Sequence, residues 1–165
     1  MSGESRSQVW GCRTRSGYLI RVEGHGTMRE SHAIQQFAAG ALTDDTVTLT
    51  IDLNNAQFLD STFLGGLVRL HKQFRQRQPG CFRILATGEK VKALLMPSRV
   101  HTVFTITDEA DEVLGKCVAI TSGVSDPKDL GRHIMDCHRQ LAEVEGPDQD
   151  AFRRIADQLD AELNN

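Results

Sequence analysis

Residues 48–70 read T-L-T-I-D-L-N-N-A-Q-F-L-D-S-T-F-L-G-G-L-V-R-L, a β-rich run that hands over to a helical one. In residues 46–53, Val47, Leu49, Ile51 and Leu53 alternate with Thr48, Thr50 and Asp52, the period of a strand. Leu64, Leu67, Val68, His71 and Phe74 then recur at helical spacing, which predicts a helix over 62–78 stopped by Pro79-Gly80. Between the two, Asn54-Asn55 reads as a turn and Phe58-Leu59 as the return to the core. Asp60, Ser61 and Thr62 therefore fall at a helix N-terminus, where unpaired N–H groups and the dipole favour anions. That place suits an N-cap, which Ser61 can supply, and equally a phosphorylatable hydroxyl.

Upstream, residues 8–14 (apolar members Val9, Trp10 and Cys12) and 18–23 read as strands joined by the turn Arg15-Ser16-Gly17, a hairpin. Gly24-His25-Gly26 breaks the pattern. Thr27 and Glu30 then fit a capping box before a helix with Ile34, Phe37, Ala38 and Ala41 on one face, ending near Thr43-Asp44-Asp45. Downstream, residues 81–86 read as a short buried strand, and Thr87-Gly88 opens a helix carrying Val91, Leu94 and Leu95 that Met96-Pro97 halts. Residues 103–106 read as a last core strand, 108–114 as a short helix with an acidic first turn, and 116–120 as an optional further strand. Strands alternating with helices predict an α/β fold: a mixed sheet of four to five strands with helices mainly on one face.

After Leu114 the pattern changes. Residues 121–125, T-S-G-V-S, read as a linker. Leu130, Ile134, Cys137, Leu141 and Val144 make one apolar stripe; after Gly146-Pro147, Phe152, Ile155, Leu159 and Leu163 make a second. The expected organisation is one domain over 8–120 and a two-helix extension over 121–165. Such a hairpin is too small to fold alone, so it packs on the domain or on a second subunit, which makes a homodimer an open expectation.

At 165 residues with a formal net charge of -3, the chain is neither a nucleic-acid-binding polycation nor a polyanion. No apolar run approaches the roughly 18 residues of a membrane span, and the polar start M-S-G-E-S-R-S-Q lacks a secretory core. Cys12, Cys81, Cys117 and Cys137 form no C-x-x-C pair, so reduced thiols in a cytoplasmic protein are expected.

The order of elements and residues 48–70 together resemble the STAS domain, the fold of anti-sigma-factor antagonists and of the cytoplasmic tails of sulphate transporters. The resemblance spans roughly residues 8–114 and includes the later A-L-L-M-P-S-R-V-H-T-V-F-T-I-T-D-E-A-D-E-V-L, residues 93–114. The family's turn of aspartate, serine, serine or threonine, glycine, leucine, glycine corresponds to Asp60, Ser61, Thr62, Phe63, Leu64 and Gly65, with Phe63 at the usual first glycine. The resemblance implies phosphorylation of Ser61 by an anti-sigma kinase, with Thr62 the alternative. It also implies a switch and partner-binding loop of Asp60, Ser61, Thr62, Phe63, Leu64, Gly65 and Arg69. The implied partners are a serine-kinase anti-sigma factor and a resetting phosphatase.

Arg69, Lys72, Arg75 and Arg77 make one helix side basic, which steers an acidic partner or is simply a solvated face. His133, Cys137 and His138 have metal-compatible spacing, but no further ligand pair is evident and Cys137 lies on the apolar stripe, so core packing is the expectation. Gly24-His25-Gly26 lacks the rest of a phosphate loop, and Asp44-Asp45 and Asp108-Glu109 sit where carboxylates cap helices. Trp10 reads as a core or dimer-contact residue. No cofactor, metal or catalytic set is expected. The expected function is an antagonist of an anti-sigma factor, switched off by phosphorylation at Ser61. The alternative is a STAS scaffold or accessory subunit, in a signalling or transport complex, without phospho-control.

Overall fold

The computed structural model describes residues 7–41, 48–77, 81–121 and 126–164. Its central strand is β3 (Thr48–Leu59), defined together with β1 (Gln8–Thr14), β2 (Gly17–Gly26), β4 (Phe82–Leu85), β5 (Ile106–Thr107) and β6 (Val113–Ala119). Among the described residues these six strands form one mixed sheet in the order β5-β4-β3-β2-β1-β6. The hairpin β1–β2 and the pair β1–β6 are antiparallel, whereas β3 runs parallel to both β2 and β4. Leu49, Ile51 and Leu53 on one face of this central strand and Thr50 and Asp52 on the other are all buried.

The expected turn at Asn54-Asn55 does not form; β3 continues to Leu59. Its ladder with β2 persists through two register shifts, pairing Glu23 with Asn55, Gly24 with Ala56, His25 with Phe58 and Gly26 with Leu59. Bulges of this kind absorb an extra residue without ending a strand. Asn54 meanwhile takes a bridging role: its N–H donates to Asp52 Oδ1 at 3.0 Å, and its Oδ1 accepts from the N–H of Thr87 at 2.9 Å. The shift also moves Phe58 off the core, leaving it 54% exposed.

The main core packs Ile20, Val22, Leu49, Ile51 and Leu53 of the sheet against α1 (Met28–Ala41) and α2 (Ser61–Arg77), through Ile34, Ala38, Phe63, Leu67 and Phe74. Residues of opposite parity, Leu19 and Leu85, join Cys12, Trp10 and Val113 in a smaller cluster, which places Trp10 at a core rim. Half of the expected capping box is present: the Glu30 carboxylate reaches back to the Thr27 N–H at 2.9 Å, while the Thr27 hydroxyl also turns to that carboxylate.

Thr87 caps α3 (Gly88–Lys90), which continues as a wider π-type turn, Val91–Leu95, and a 3-10 turn, Met96–Ser98. Arg99, with φ 63°, links that to a further 3-10 turn, Val100–Thr102, so the expected strand at 103–106 shrinks to β5. The expected helix at 108–114 is absent. Instead Glu112 pairs with Arg15 at 2.9 Å and Asp111 accepts from the Ser16 hydroxyl, tying the acidic run to the β1–β2 turn. From there β6 adds to the otherwise unpaired edge of β1.

The cysteine expectation is corrected. Cys12 of β1 and Cys117 of β6 are disulfide-bonded across 105 residues, while Cys81 and Cys137 remain buried thiols. Scattered cysteines without C-x-x-C conceal such a pair, because Cys12 and Cys117 meet only when β6 lies beside β1.

At the C-terminus, Asp126 caps α4 (Pro127–Ala142) by accepting from the Lys128 N–H at 3.0 Å, and α5 (Gln149–Leu163) folds back on α4. α4 lies on α2, with Leu141 in the main core and Val144 and Phe152 against it. The stop at 79–80, the ends of the first helix and of the first half of β3, and the linker at 122–125 fall outside the described residues.

Denatured without reductant, the chain should titrate two thiols, Cys81 and Cys137, and four after reduction. Four reactive thiols before reduction would show Cys12 and Cys117 to be unbridged.

Candidate functional site

Asp60 is the first residue past β3 and the true N-cap of α2. Its N–H donates to the Gly26 carbonyl at 2.9 Å, its carbonyl accepts from Leu64 N–H at 3.0 Å, and its Oδ1 accepts from Phe63 N–H at 2.8 Å. Burial raises its carboxyl above the ordinary range, with Glu30 pushing the same way; the N–H groups of Phe63 and Met28, and His138, pull it down. A capping carboxylate at this position contributes about 1 kcal/mol. Because Asp60 caps, Ser61 does not.

The Ser61 hydroxyl instead lies 3.1 Å from Nε2 of His138, a residue of α4. Nδ1 of the same ring is 2.8 Å from the carbonyl oxygen of Ile134, which can only accept. The Ile134 carbonyl places a ring proton on Nδ1, so in the singly protonated tautomer Ser61 O–H donates to Nε2. Ser61 is half-buried and His138 is buried.

The rest of the predicted loop turns away from solvent. Thr62 is buried, and its carbonyl oxygen lies 3.5 Å from the Ser31 hydroxyl. Phe63, 1% exposed, enters the core: a Cβ on Gly26 would meet its ring at 2.9 Å, so the glycine ending β2 makes room for this aromatic. Leu64 is buried in the same core. Gly65 and Gly66 form the crossing point with α4: a Cβ on Gly65 would stand 2.0 Å from the carbonyl oxygen of Cys137, and one on Gly66 2.4 Å from Ser31 Oγ. Two glycines in a helix interior each cost about 1 kcal/mol relative to alanine; here Gly65 lets the α2 and α4 backbones touch, and Gly66 makes room for the Ser31 side chain of α1. Arg69 reaches Asp136 of α4 at 3.8 Å, and Lys72 pairs with Glu143 just beyond it. Arg75 and Arg77 are exposed.

Beneath the crossing, the Ser31 hydroxyl is 2.8 Å from Nε2 of His133, which is 3.5 Å from Sγ of Cys137. His138 points to Ser61 instead, so the metal-compatible spacing does not converge; among the described residues no group of three or more His, Cys, Asp or Glu is placed to hold a metal. Burial pushes the Cys137 thiol up to about 12 and lowers His133 to about 4, with the charges of His32 and Arg69 adding to the latter. Both groups are therefore neutral at physiological pH.

Sequence reasoning marked His138 only through its metal-compatible spacing and missed its pairing with Ser61, and it missed Ser31 altogether; both reach the loop through the packing of α4 and α1. It also missed the exposed apolar rim of Phe58 and Met28 beside Asp60. Among the described residues no helix is long and apolar enough to cross a membrane.

No protein-family model and no curated protein matches the chain. A solved structure does: an anti-sigma factor antagonist from Mycobacterium paratuberculosis, with a TM-score of 0.51 and 18% identity, covering 66% of this chain and 92% of that one. The likeness establishes a shared fold, that of an anti-sigma factor antagonist, and leaves about a third of this chain without a counterpart.

His133 carries a pH signature. Its folded pKa of about 4 lies below its ordinary 6.5, so between those values an unfolded chain takes up a proton that the folded one refuses. The stability is present above pH 6.5 and lost as pH falls toward 4. From pH 7 to 4.5, His133→Gln should lose about 2–3 kcal/mol less unfolding free energy than wild type, measured by urea titration. Equal losses would show that His133 is not held neutral by the fold.

Proposed function

We propose that this protein is a non-catalytic, anti-sigma-factor-antagonist-like signalling protein that binds a serine-kinase anti-sigma factor and is switched off by phosphorylation at Ser61. The observation that carries this reading is the position of one hydroxyl. Ser61 Oγ sits on the first turn of α2, next to the Asp60 cap, in a fold similar to that of an anti-sigma factor antagonist. The exposed Phe58 and Met28 supply apolar contact beside Asp60, and Arg69 and Lys72, here paired with Asp136 and Glu143, carry positive charge along α2. The partner-binding loop is Asp60, Ser61 and Arg69 at the surface, positioned by the inward-facing Thr62, Phe63, Leu64 and Gly65.

Phosphorylation there adds about -1.5 to -2 charges and three acceptor oxygens. The Asp60 carboxylate already takes the nearest α2 N–H group, so the new charge meets a like charge. A partner packed on this spot faces a dianion it must desolvate, and one presenting a carboxylate or nucleotide phosphate is repelled. A few kcal/mol of differential affinity suffices for a switch. Thr62 is the weaker candidate because its side chain is buried. A serine phosphatase would reset Ser61, and the cytoplasm, where such kinases meet ATP, is the proposed setting; there Cys12 and Cys117 would face reducing conditions.

One observation favours the second reading, a scaffold or accessory subunit without phospho-control: the Ser61 hydroxyl is already engaged by His138. The two readings part in one experiment. Incubated with its anti-sigma kinase and ATP, the protein should gain a single phosphate on Ser61 by mass spectrometry, none in Ser61→Ala, and Ser61→Asp should bind that kinase at least tenfold more weakly. An unmodified Ser61, or undiminished binding by Ser61→Asp, would leave the scaffold reading standing.

A further inference from the structure

The face of α2 that carries Ser61 is occupied by the chain's own C-terminal hairpin. α4 crosses α2 with backbone against backbone at Gly65, where Cys137 supplies a small residue. Its rim matches the charge of α2, with Asp136 on Arg69 and Glu143 on Lys72. Its polar groups close on the hydroxyls below, with His138 on Ser61 and His133 on Ser31. His138 holds the Ser61 hydroxyl at 3.1 Å, so a phosphoryl group placed on that oxygen would have to displace the ring.

α4 is equipped to move with α5. Arg139 binds Asp157 at 3.5 Å and Asp160 at 3.3 Å, and Gln149 Nε2 donates to the Ala142 carbonyl at 2.7 Å, so the two helices are joined by contacts of their own. The contact with α2 combines an apolar centre, Cys137 and Leu141 with Val144 and Phe152 beside them, with hydroxyl–imidazole pairs and rim ion pairs. Rim pairs of this kind contribute little to affinity and much to orientation.

We propose that α4 is a built-in stand-in for the partner: the α2 face accepts an amphipathic helix that sets a small residue at the Gly65 crossing and acidic residues against Arg69 and Lys72, and the hairpin must lift before a partner helix docks or Ser61 is modified. The ligand's character is read from α4 itself. A small residue meets Gly65, an acidic residue directly before it meets Arg69, and a second acidic residue six positions after it meets Lys72. The inference rests on the proposed role of the Ser61 face, and its test uses neither kinase nor sigma factor, so each can fail without the other.

In the full chain, Asp136→Lys with Glu143→Lys reverses the two rim charges on α4 and leaves the apolar centre intact. By hydrogen exchange, amides of α4 and α5 should exchange at least tenfold faster than in wild type, while those of β3 keep their protection. A labelled synthetic peptide of residues 126–145 should then bind the charge-reversed chain at least tenfold more tightly than wild type, and lose that binding when Gly65→Leu is added. Unchanged α4 exchange, loss of protection in α4 and β3 together, or no peptide binding to the loosened chain would each overturn the proposal. The first would mean that the rim does not hold the hairpin, the second that it is part of one cooperative core, and the third that the face does not take such a helix.

Discussion

Nothing larger than a hydrogen atom fits between Gly65 and the carbonyl of Cys137, and the geometry of the site follows from that contact. Backbones that approach so closely place the first turn of α2 against the middle of α4, which brings the imidazole of His138 to Ser61 and that of His133 to Ser31. An alanine at Gly65 would add to helix propensity and subtract from packing, and with backbone at 2.0 Å the packing penalty of about 1–3 kcal/mol is the larger. The pair Gly65-Gly66 is thus a docking surface inside a helix rather than a weak point in it.

Two neighbouring polar residues at the strand-to-helix junction divide the work there. Asp60 satisfies the α2 N-terminus by accepting from Phe63 N–H, which leaves the Ser61 hydroxyl for a tertiary partner. Phe63 adds a third constraint. Its ring fills the space over Gly26, anchoring the junction from below, so the surface presented around Ser61 is made by Phe58, Met28 and α4. The bulk of Phe63 is accommodated by Gly26 at the end of β2.

The elements that were legible in the sequence are those whose signal is local and periodic. Val47 to Leu53 alternates with period two, and Leu64 to Phe74 recurs at helical spacing; both elements exist, with α2 displaced by one residue at its start. The failures share a different cause. Asn54-Asn55 has turn composition, but the ladder to β2 and the bond from Thr87 hold it in a strand. Residues 108–112 have a helical acidic start, but Arg15 and Ser16 capture Asp111 and Glu112, and the free edge of β1 takes the residues that follow. Cys12 and Cys117 are silent as a pair because 105 residues separate them.

By itself, the sequence determined the α/β class, the strand-to-helix junction at Asp60 and Ser61, and the two amphipathic stripes at the C-terminus, because periodicity and capping chemistry act over a few residues. Only the tertiary structure decided that Asp60 caps while Ser61 pairs with His138, that Phe63 turns inward, and that α4 covers the α2 face at Gly65-Gly66. Each of these depends on atoms brought together from distant parts of the chain, the Ser61–His138 pair from 77 residues apart, and no local pattern records such a contact before the sheet and helices have packed.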